Sequence, residues 1–149
     1  WKNFNFDFFF FFSYGGQLLD YDQMDIMHDG ARPEINLSKD IYRAWKEPGD
    51  ITDVPKYVIQ NGTNSNDRST RFLHDASFLR LRNATLSYDL PNTIISKARF
   101  ESIRVFVQAD NYLTFAKYKG RDPETRLSGN TNWDIPMTKA LTIGVKLGL

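Results

Sequence analysis

With 149 residues and a formal net charge of +1, the chain is long enough for one domain and offers no electrostatic footing for nucleic acid or an anionic surface. It contains no cysteine, so no disulfide is possible and the redox compartment stays open. No segment reaches the roughly 18 consecutive apolar residues that a membrane helix needs, which excludes a spanning helix but not a β-barrel, whose strands need only about 9–11 alternating residues.

The first predicted element is a strand from Asn3 to Tyr14. Side chains in a strand point alternately to its two faces, so Phe4, Phe6, Phe8, Phe10, Phe12 and Tyr14 share one face and Asn3, Asn5 and Asp7 hold the other. There is no initiator Met, and Trp1 abuts this strand with no charged leader, apolar run or cleavage site before it, so a fragment is expected. After Gly15 and Gly16 the alternation stops for about 55 residues, longer than loops in compact domains reach unless they are functional or disordered. Tyr21, Ile26, Met27, Ile41, Tyr42, Trp45, Val54, Tyr57, Val58 and Ile59 supply apolar material for this segment to fold on itself. Ser38 ahead of Lys39, Asp40 and Ile41 predicts the cap of a short helix towards Lys46, ended by Pro48 and Gly49. Gln60 to Ser69 reads as a turn-rich tip.

A second strand is predicted from Phe78 to Leu90. Its apolar face changes phase, from odd-numbered Leu79 and Leu81 to even-numbered Ala84, Leu86, Tyr88 and Leu90, which predicts a bulge near Arg82 and Asn83. Pro91 ends it, and Asn92 to Ser102 is a modest connection in which Ile94 and Ile95 suit a turn of helix. In the third strand, Ile103 to Tyr118, Ile103, Val105, Val107, Ala109, Leu113 and Phe115 line one face, interrupted by Asn111. Tyr112, Phe115 and Tyr118 gather at one end, as in an interfacial aromatic girdle. After a polar loop from Gly120 to Thr138 comes a fourth strand, Lys139 to Leu149, with Leu141, Ile143, Val145, Leu147 and Leu149 opposed to Thr142, Gly144, Lys146 and Gly148. Leu149 falls in phase with the strand, so this end is expected to be the natural terminus.

A soluble sandwich also alternates, because one sheet face meets a core and the other meets water. Connection lengths favour a barrel: bacterial barrels have short periplasmic turns, long external loops and a periplasmic carboxyl end. With Leu149 on the periplasmic side, Gly120 to Thr138 and the long segment are external and Asn92 to Ser102 is periplasmic. The reading is therefore all-β: at least four antiparallel strands from the carboxyl-terminal part of a large transmembrane barrel with long extracellular loops. Residues 1–149 then form an incomplete domain without a plug.

The run Asp75-Ala76-Ser77-Phe78-Leu79-Arg80-Leu81-Arg82-Asn83, continued by Leu86, Tyr88, Leu90 and Pro91, resembles a signature of SusC/RagA-type TonB-dependent outer-membrane transporters of Bacteroidetes. Asp110-Asn111 with Leu113-Thr114-Phe115, Lys117-Tyr118-Lys119-Gly120, Asp122-Pro123-Glu124, and Pro136 leading to Thr142 and Gly144 follow in the family's order. Upstream, Ser13-Tyr14-Gly15-Gly16, Met27-His28, Trp45 with Pro48-Gly49-Asp50, and Asp53-Val54-Pro55 are also similar to family members. The resemblance implies import of glycans or peptides across the outer membrane, driven by TonB through an amino-terminal part not in this sequence, with a SusD-like surface lipoprotein as lid. It also implies that Thr142, Gly144, Leu147 and Leu149 act as the signal read by the barrel-assembly machinery, although the family usually ends in an aromatic where this chain has Leu149. The lipid-facing set is then Phe4, Phe6, Phe8, Phe10, Ile103, Val105, Val107, Leu141, Ile143, Val145 and Leu147.

No paired carboxylates, nucleophile with a base, or phosphate-cradling glycine loop suggests an enzyme, and no cofactor is expected. His28 and His74, about 45 residues apart without a tight carboxylate spacing, do not make a metal site, because zinc needs three or four convergent ligands. Asp20, Asp22, Asp25 and Asp29 lack the order and central Gly of an EF-hand and are expected to be solvated loop charge. Trp45 and Trp133 are candidates for stacking on a sugar or packing under a lid, against the favoured reading that each pins its own loop. Asp122 and Glu124, around Pro123, make a turn or a partner contact.

Overall fold

The computed structural model describes residues 3–60, 65–96, 100–124 and 128–148. In chain order its elements are β1 (Phe4–Ser13), β2 (Gln17–Leu19), α1 (Tyr21–Ile26), 3-10 turns at Lys39–Arg43 and Thr70–Phe72, β3 (Leu73–Asp75), β4 (Phe78–Asp89), α2 (Asn92–Ile95), β5 (Ser102–Ala116) and β6 (Ala140–Gly148). They fall into two compact units: Trp1–Gly15, Ser77–Asp122 and Pro136–Leu149 make the first, and Gly16–Ala76 with Pro123–Ile135 the second.

The first unit is a four-stranded antiparallel sheet in the order β1-β4-β5-β6. Its register brings the alternating apolar residues into rows. Phe4, Tyr88, Val105 and Val145 form one row, Phe6, Leu86, Val107 and Ile143 the next, and Phe8, Ala84, Ala109 and Leu141 a third. The predicted bulge is present: Phe9 pairs with Asn83 and Phe10 with Leu81, so Arg82 is the extra residue. Between β4 and β5 the register jumps from Asn83–Asp110 to Leu81–Leu113, and Asn111 there has φ 53°. The two irregularities keep Leu81, Leu79, Leu113 and Phe115 on the apolar side, which explains both the phase change and the interruption at Asn111.

Every residue of β1 is exposed, and so are Leu86, Val107 and Ile143 on the same apolar face. A sandwich would cover that face with a second sheet. The expected girdle is corrected at one position: Tyr112 and Phe115 are exposed, but Tyr118 is buried, because β5 stops at Ala116 and its hydroxyl turns back against Gly120. The turn of helix at Ile94 and Ile95 is α2, and Ile95 is its buried residue.

The second unit is a small fold of its own. Met27, Ala44, Val54 and Phe72 form its core, with Leu19, Met24, Ile26 and Ile41 packed on it. The antiparallel pair β2–β3 closes the segment Gly16–Ala76, and a parallel bridge from Leu19 to Asn130 ties Pro123–Ile135 to it. Asp20 caps α1, accepting from the Gln23 amide at 2.9 Å. The helix predicted after Ser38 is a 3-10 turn ending at Arg43, with the Ser38 hydroxyl accepting from the Asp40 amide. Not every expected anchor is inside: Tyr42, Tyr57, Val58 and Ile59 are exposed, since the Val58 segment attaches through its backbone, from Val58 N to Asp29 O at 2.8 Å. Part of the predicted tip, residues 61–64, lies outside the described residues.

Candidate functional site

The face of the sheet opposite the apolar rows is a hydrogen-bonded polar surface. Asp89 accepts from Asn5 Nδ2 at 2.9 Å and from Arg104 Nε and Nη2 at 2.5 and 3.0 Å. Asp110 accepts from Asn83 Nδ2 at 2.8 Å and from Gln108 Nε2 at 3.0 Å, and Asn83 Oδ1 accepts from Thr85 at 3.1 Å. Asp7, Thr85, Gln108 and Thr142 share one row of this face. Charged and amide groups in such density suit water and would be costly against hydrocarbon. Of the expected assembly-signal residues, Thr142 and Gly144 lie on this face and Leu147 on the apolar one, while Leu149 lies outside the described residues.

At the end of this face next to residue 122, Arg80 is 2 % exposed, donating Nε to Thr114 Oγ1 at 3.1 Å and Nη2 to Asp122 Oδ1 at 2.5 Å. The second Asp122 oxygen accepts from the Met137 amide at 2.9 Å. Asp122, a candidate partner contact by sequence, therefore ties the two roots of the loop between β5 and β6 to β4. Nothing local in the sequence marked Arg80 as the other half of this pair; its partner is 42 residues away.

In the second unit the expectation of a solvated acidic cluster is corrected, since Asp20, Asp22 and Asp29 are buried. Asp20, Asp22 and the half-buried Asp25 serve as acceptors for a distant segment. Thr131 Oγ1 donates to Asp20 at 3.1 Å, the Trp133 amide to Asp22 at 2.6 Å, and Trp133 Nε1 to Asp25 at 3.0 Å. Arg32 pairs with Asp25 at 2.6 Å. His28 is buried with Nδ1 accepting from Gly30 N at 3.2 Å and Nε2 facing Ile35 O at 3.3 Å, a pairing that assigns the Nε2–H tautomer. His74 instead meets Gln23 Oε1 at 2.8 Å. Among the described residues no group of three or more His, Cys, Asp or Glu could hold a metal.

Trp133 is 46 % exposed and held from both its amide and its ring nitrogen, whereas Trp45 is half-buried beneath Lys56, whose Nζ lies 5.6 Å from the ring centre. Glu124 is half-buried. Near Trp45, Tyr42, Arg43, Lys46, Asp50, Ile51 and Asp53 border an open groove of about 750 Å³. Two carboxyls beside it are held below the usual range: Asp40 by the Ser38 hydroxyl and then Arg43, and Asp50 by the backbone N–H groups of Lys46 and Glu47. Burial pushes Arg71 down, opposed by Asp53 and Asp29.

Against known proteins, 132 residues are 31% identical to TonB-dependent receptor P3 of Formosa agariphila, covering 89% of this chain and 12% of that protein. TonB-dependent receptor SusC of Bacteroides thetaiotaomicron is 35% identical over 83 residues, 54% of this chain and 8% of that protein. The RagAB peptide importer in its closed-closed state matches with a TM-score of 0.84 at 32% identity, over 99% of this chain and 16% of that one. The chain belongs to the SusC/RagA family of TonB-dependent receptors. The sheet of this SusC/RagA member is a portion of a β-barrel, and the chain spans only 12% of the P3 receptor and 16% of the importer chain. No family model matches it, so membership rests on likeness to individual SusC/RagA proteins.

Proposed function

We propose that this chain is a carboxyl-terminal part of the wall of an outer-membrane barrel that imports oligosaccharides or peptides, using energy delivered through TonB and a SusD-like lipoprotein as lid. The observation that carries the reading is the division of one sheet into an exposed apolar face and a hydrogen-bonded polar face. Phe4, Phe6, Phe8, Phe10, Ile103, Val105, Val107, Leu141, Ile143, Val145 and Leu147 then meet lipid, and Asp7, Gln108 and Asp110 line an aqueous lumen. Residues 17–76 and 120–138 stand outside the cell, where Trp133 is the loop aromatic better placed to meet cargo or lid; Trp45 and Glu124 lie deeper. Thr142, Gly144, Leu147 and Leu149 serve the assembly machinery in the same reading. The plug and the TonB contact belong to other parts of the whole protein. Support for the substrate class comes from the relative named a peptide importer. Membrane fractionation of cells making the whole protein tests the proposal: recovery from the pellet only with detergent is expected, and recovery in the aqueous fraction without it overturns the reading.

A further inference from the structure

Trp133, in the second unit, is an exposed aromatic residue held at both its backbone and its ring. Its φ is 54°, a left-handed conformation that a bulky residue keeps only when its surroundings impose it. The chain leading to it is clamped: Leu19 N donates to Gly129 O at 2.8 Å and Thr131 N to Leu19 O at 3.1 Å. Buried Thr131 also accepts from the Asp22 amide at 3.2 Å and donates to Asp20, and the Trp133 amide donates to Asp22. The ring is tethered separately. Its Nε1 donates to Asp25 Oδ2 at 3.0 Å, and the other Asp25 oxygen accepts from Arg32 Nη1 at 2.6 Å.

A tryptophan whose task was to pin its own loop would turn its ring inward. Here buried Thr131 and Asp22 already pin the loop, and the indole stays 46 % exposed. An exposed ring that has lost its rotamer freedom before any ligand arrives is pre-organised, so that contact with it costs little further ordering. The groups at its edge define the ligand. An indole N–H points outward in the plane of the ring, so Asp25, and Arg32 bound to it, stand at the rim rather than over a face. Their opposite charges offset each other, and neither a cation nor a phosphate gains a net attraction there. Both side chains are partly exposed, the guanidinium has N–H donors beyond the one given to Asp25, and each carboxylate oxygen can accept more than one hydrogen bond. A flat apolar face with a hydrogen-bonding rim and no net charge matches a pyranose, whose C–H groups lie on the indole while its hydroxyls meet the rim. An apolar peptide side chain would use the face and leave the rim unused.

We propose that Trp133, Asp25 and Arg32 form a binding site for a neutral sugar ring of an oligosaccharide. Trp133 is the stacking face, Asp25 holds the indole and accepts from sugar hydroxyls, and Arg32 donates to them. This rests on the reading given above, in which residues 17–76 and 120–138 stand outside the cell and meet cargo.

Binding of the whole protein, extracted in mild detergent, to a printed array of neutral glucan, mannan, xylan and galactan oligosaccharides tests the site, with acidic saccharides and a peptide panel alongside. Retention on at least one neutral oligosaccharide is expected. Trp133→Ala should lose about thirtyfold in affinity for it, as removal of a central aromatic anchor does. Arg32→Met should lose about fivefold, the worth of one hydrogen bond. Trp133→Phe keeps a ring and the amide bond to Asp22, so it controls for folding and should lose less than Trp133→Ala. The site is overturned if no neutral oligosaccharide is retained, if Trp133→Ala binds as tightly as the unaltered protein, or if peptides or acidic saccharides are preferred. A protein recovered without detergent refutes the barrel reading, whereas one that needs detergent and binds sugar equally with and without the indole refutes only this site.

Discussion

The Phe106 ring lies across the backbone of Gly144, its register partner in β6: a Cβ placed on Gly144 would stand 2.4 Å from Phe106 Cζ and 2.7 Å from Cε1. A glycine inside a strand weakens it, and an aromatic side chain from the adjacent strand covers the exposed ladder. Gly144 thus has a packing role besides any part in an assembly signal. Gly144→Ala is expected to displace the ring and cost about 1–3 kcal/mol of barrel stability, as overpacked sites do. Unfolding of the whole protein in lipid vesicles measures this, and adding Phe106→Leu should recover part of the loss; an unrecovered loss would mean that the ring is not the obstacle.

Val105 and Ile143 stand in the apolar rows, and Gln108, which follows Val107 in β5, stands on the polar face beside Asp110. An Arg replacing either Val105 or Ile143 should cost on the order of 2–4 kcal/mol if the site is near the bilayer midplane, while Gln108→Arg should be mild. The same vesicle unfolding assay compares the three variants. Equal costs on the two faces would contradict the assignment of lipid to the apolar side.

The four long strands were legible because apolar residues recur at every second position in strands of nine or more residues, and the bulge because that recurrence changes phase within β4. The second unit was not, for two physical reasons. Strands of three residues such as β2 and β3 carry no periodicity, and their pairing of Gln17 with Asp75 spans the long segment. Buried aspartates look identical to solvated ones in a sequence when their partners, Thr131 and Trp133, are 109–111 residues away. The cap at Ser38 was a local signal that could be read, and its hydroxyl accepts from the Asp40 amide where the 3-10 turn begins.

Arg80 and Asp122 form a buried pair whose side chains are 3% and 15% exposed. Removing one partner takes an opposite charge from the other in a poorly solvated place, which costs about 3–5 kcal/mol in buried pairs. Asp122→Ala is therefore expected to destabilise the barrel by roughly 3 kcal/mol and to free the Met137 amide, opening the loop after β5 to protease. The Arg80→Met/Asp122→Ala double variant should be less damaged than Asp122→Ala alone, because no guanidinium stays buried. A double variant that is worse, with additive losses, would show that the two groups do not act as a pair.

The turn around Ser38 and Asp50 should respond to acid. Asp40 is hydrogen-bonded to Ser38 Oγ and to Arg43 Nη2, each at 3.0 Å, and Asp50 accepts from the amides of Lys46 and Glu47 at 2.9 and 3.2 Å. Both carboxyls are lowered in the folded chain relative to the ordinary value, Asp40 chiefly by Ser38 and Asp50 chiefly by Lys46. The stability they contribute is therefore fully present above the unfolded pKa of about 4 and is lost as pH falls through the folded values. Amide hydrogen exchange over residues 38–54, corrected for intrinsic rates, should show loss of protection only below about pH 4. Ser38→Ala should shrink that change and move its midpoint upward, since the largest cause of the Asp40 shift is gone. Protection that stays flat down to about pH 2, in both proteins, would show that neither carboxylate holds the turn.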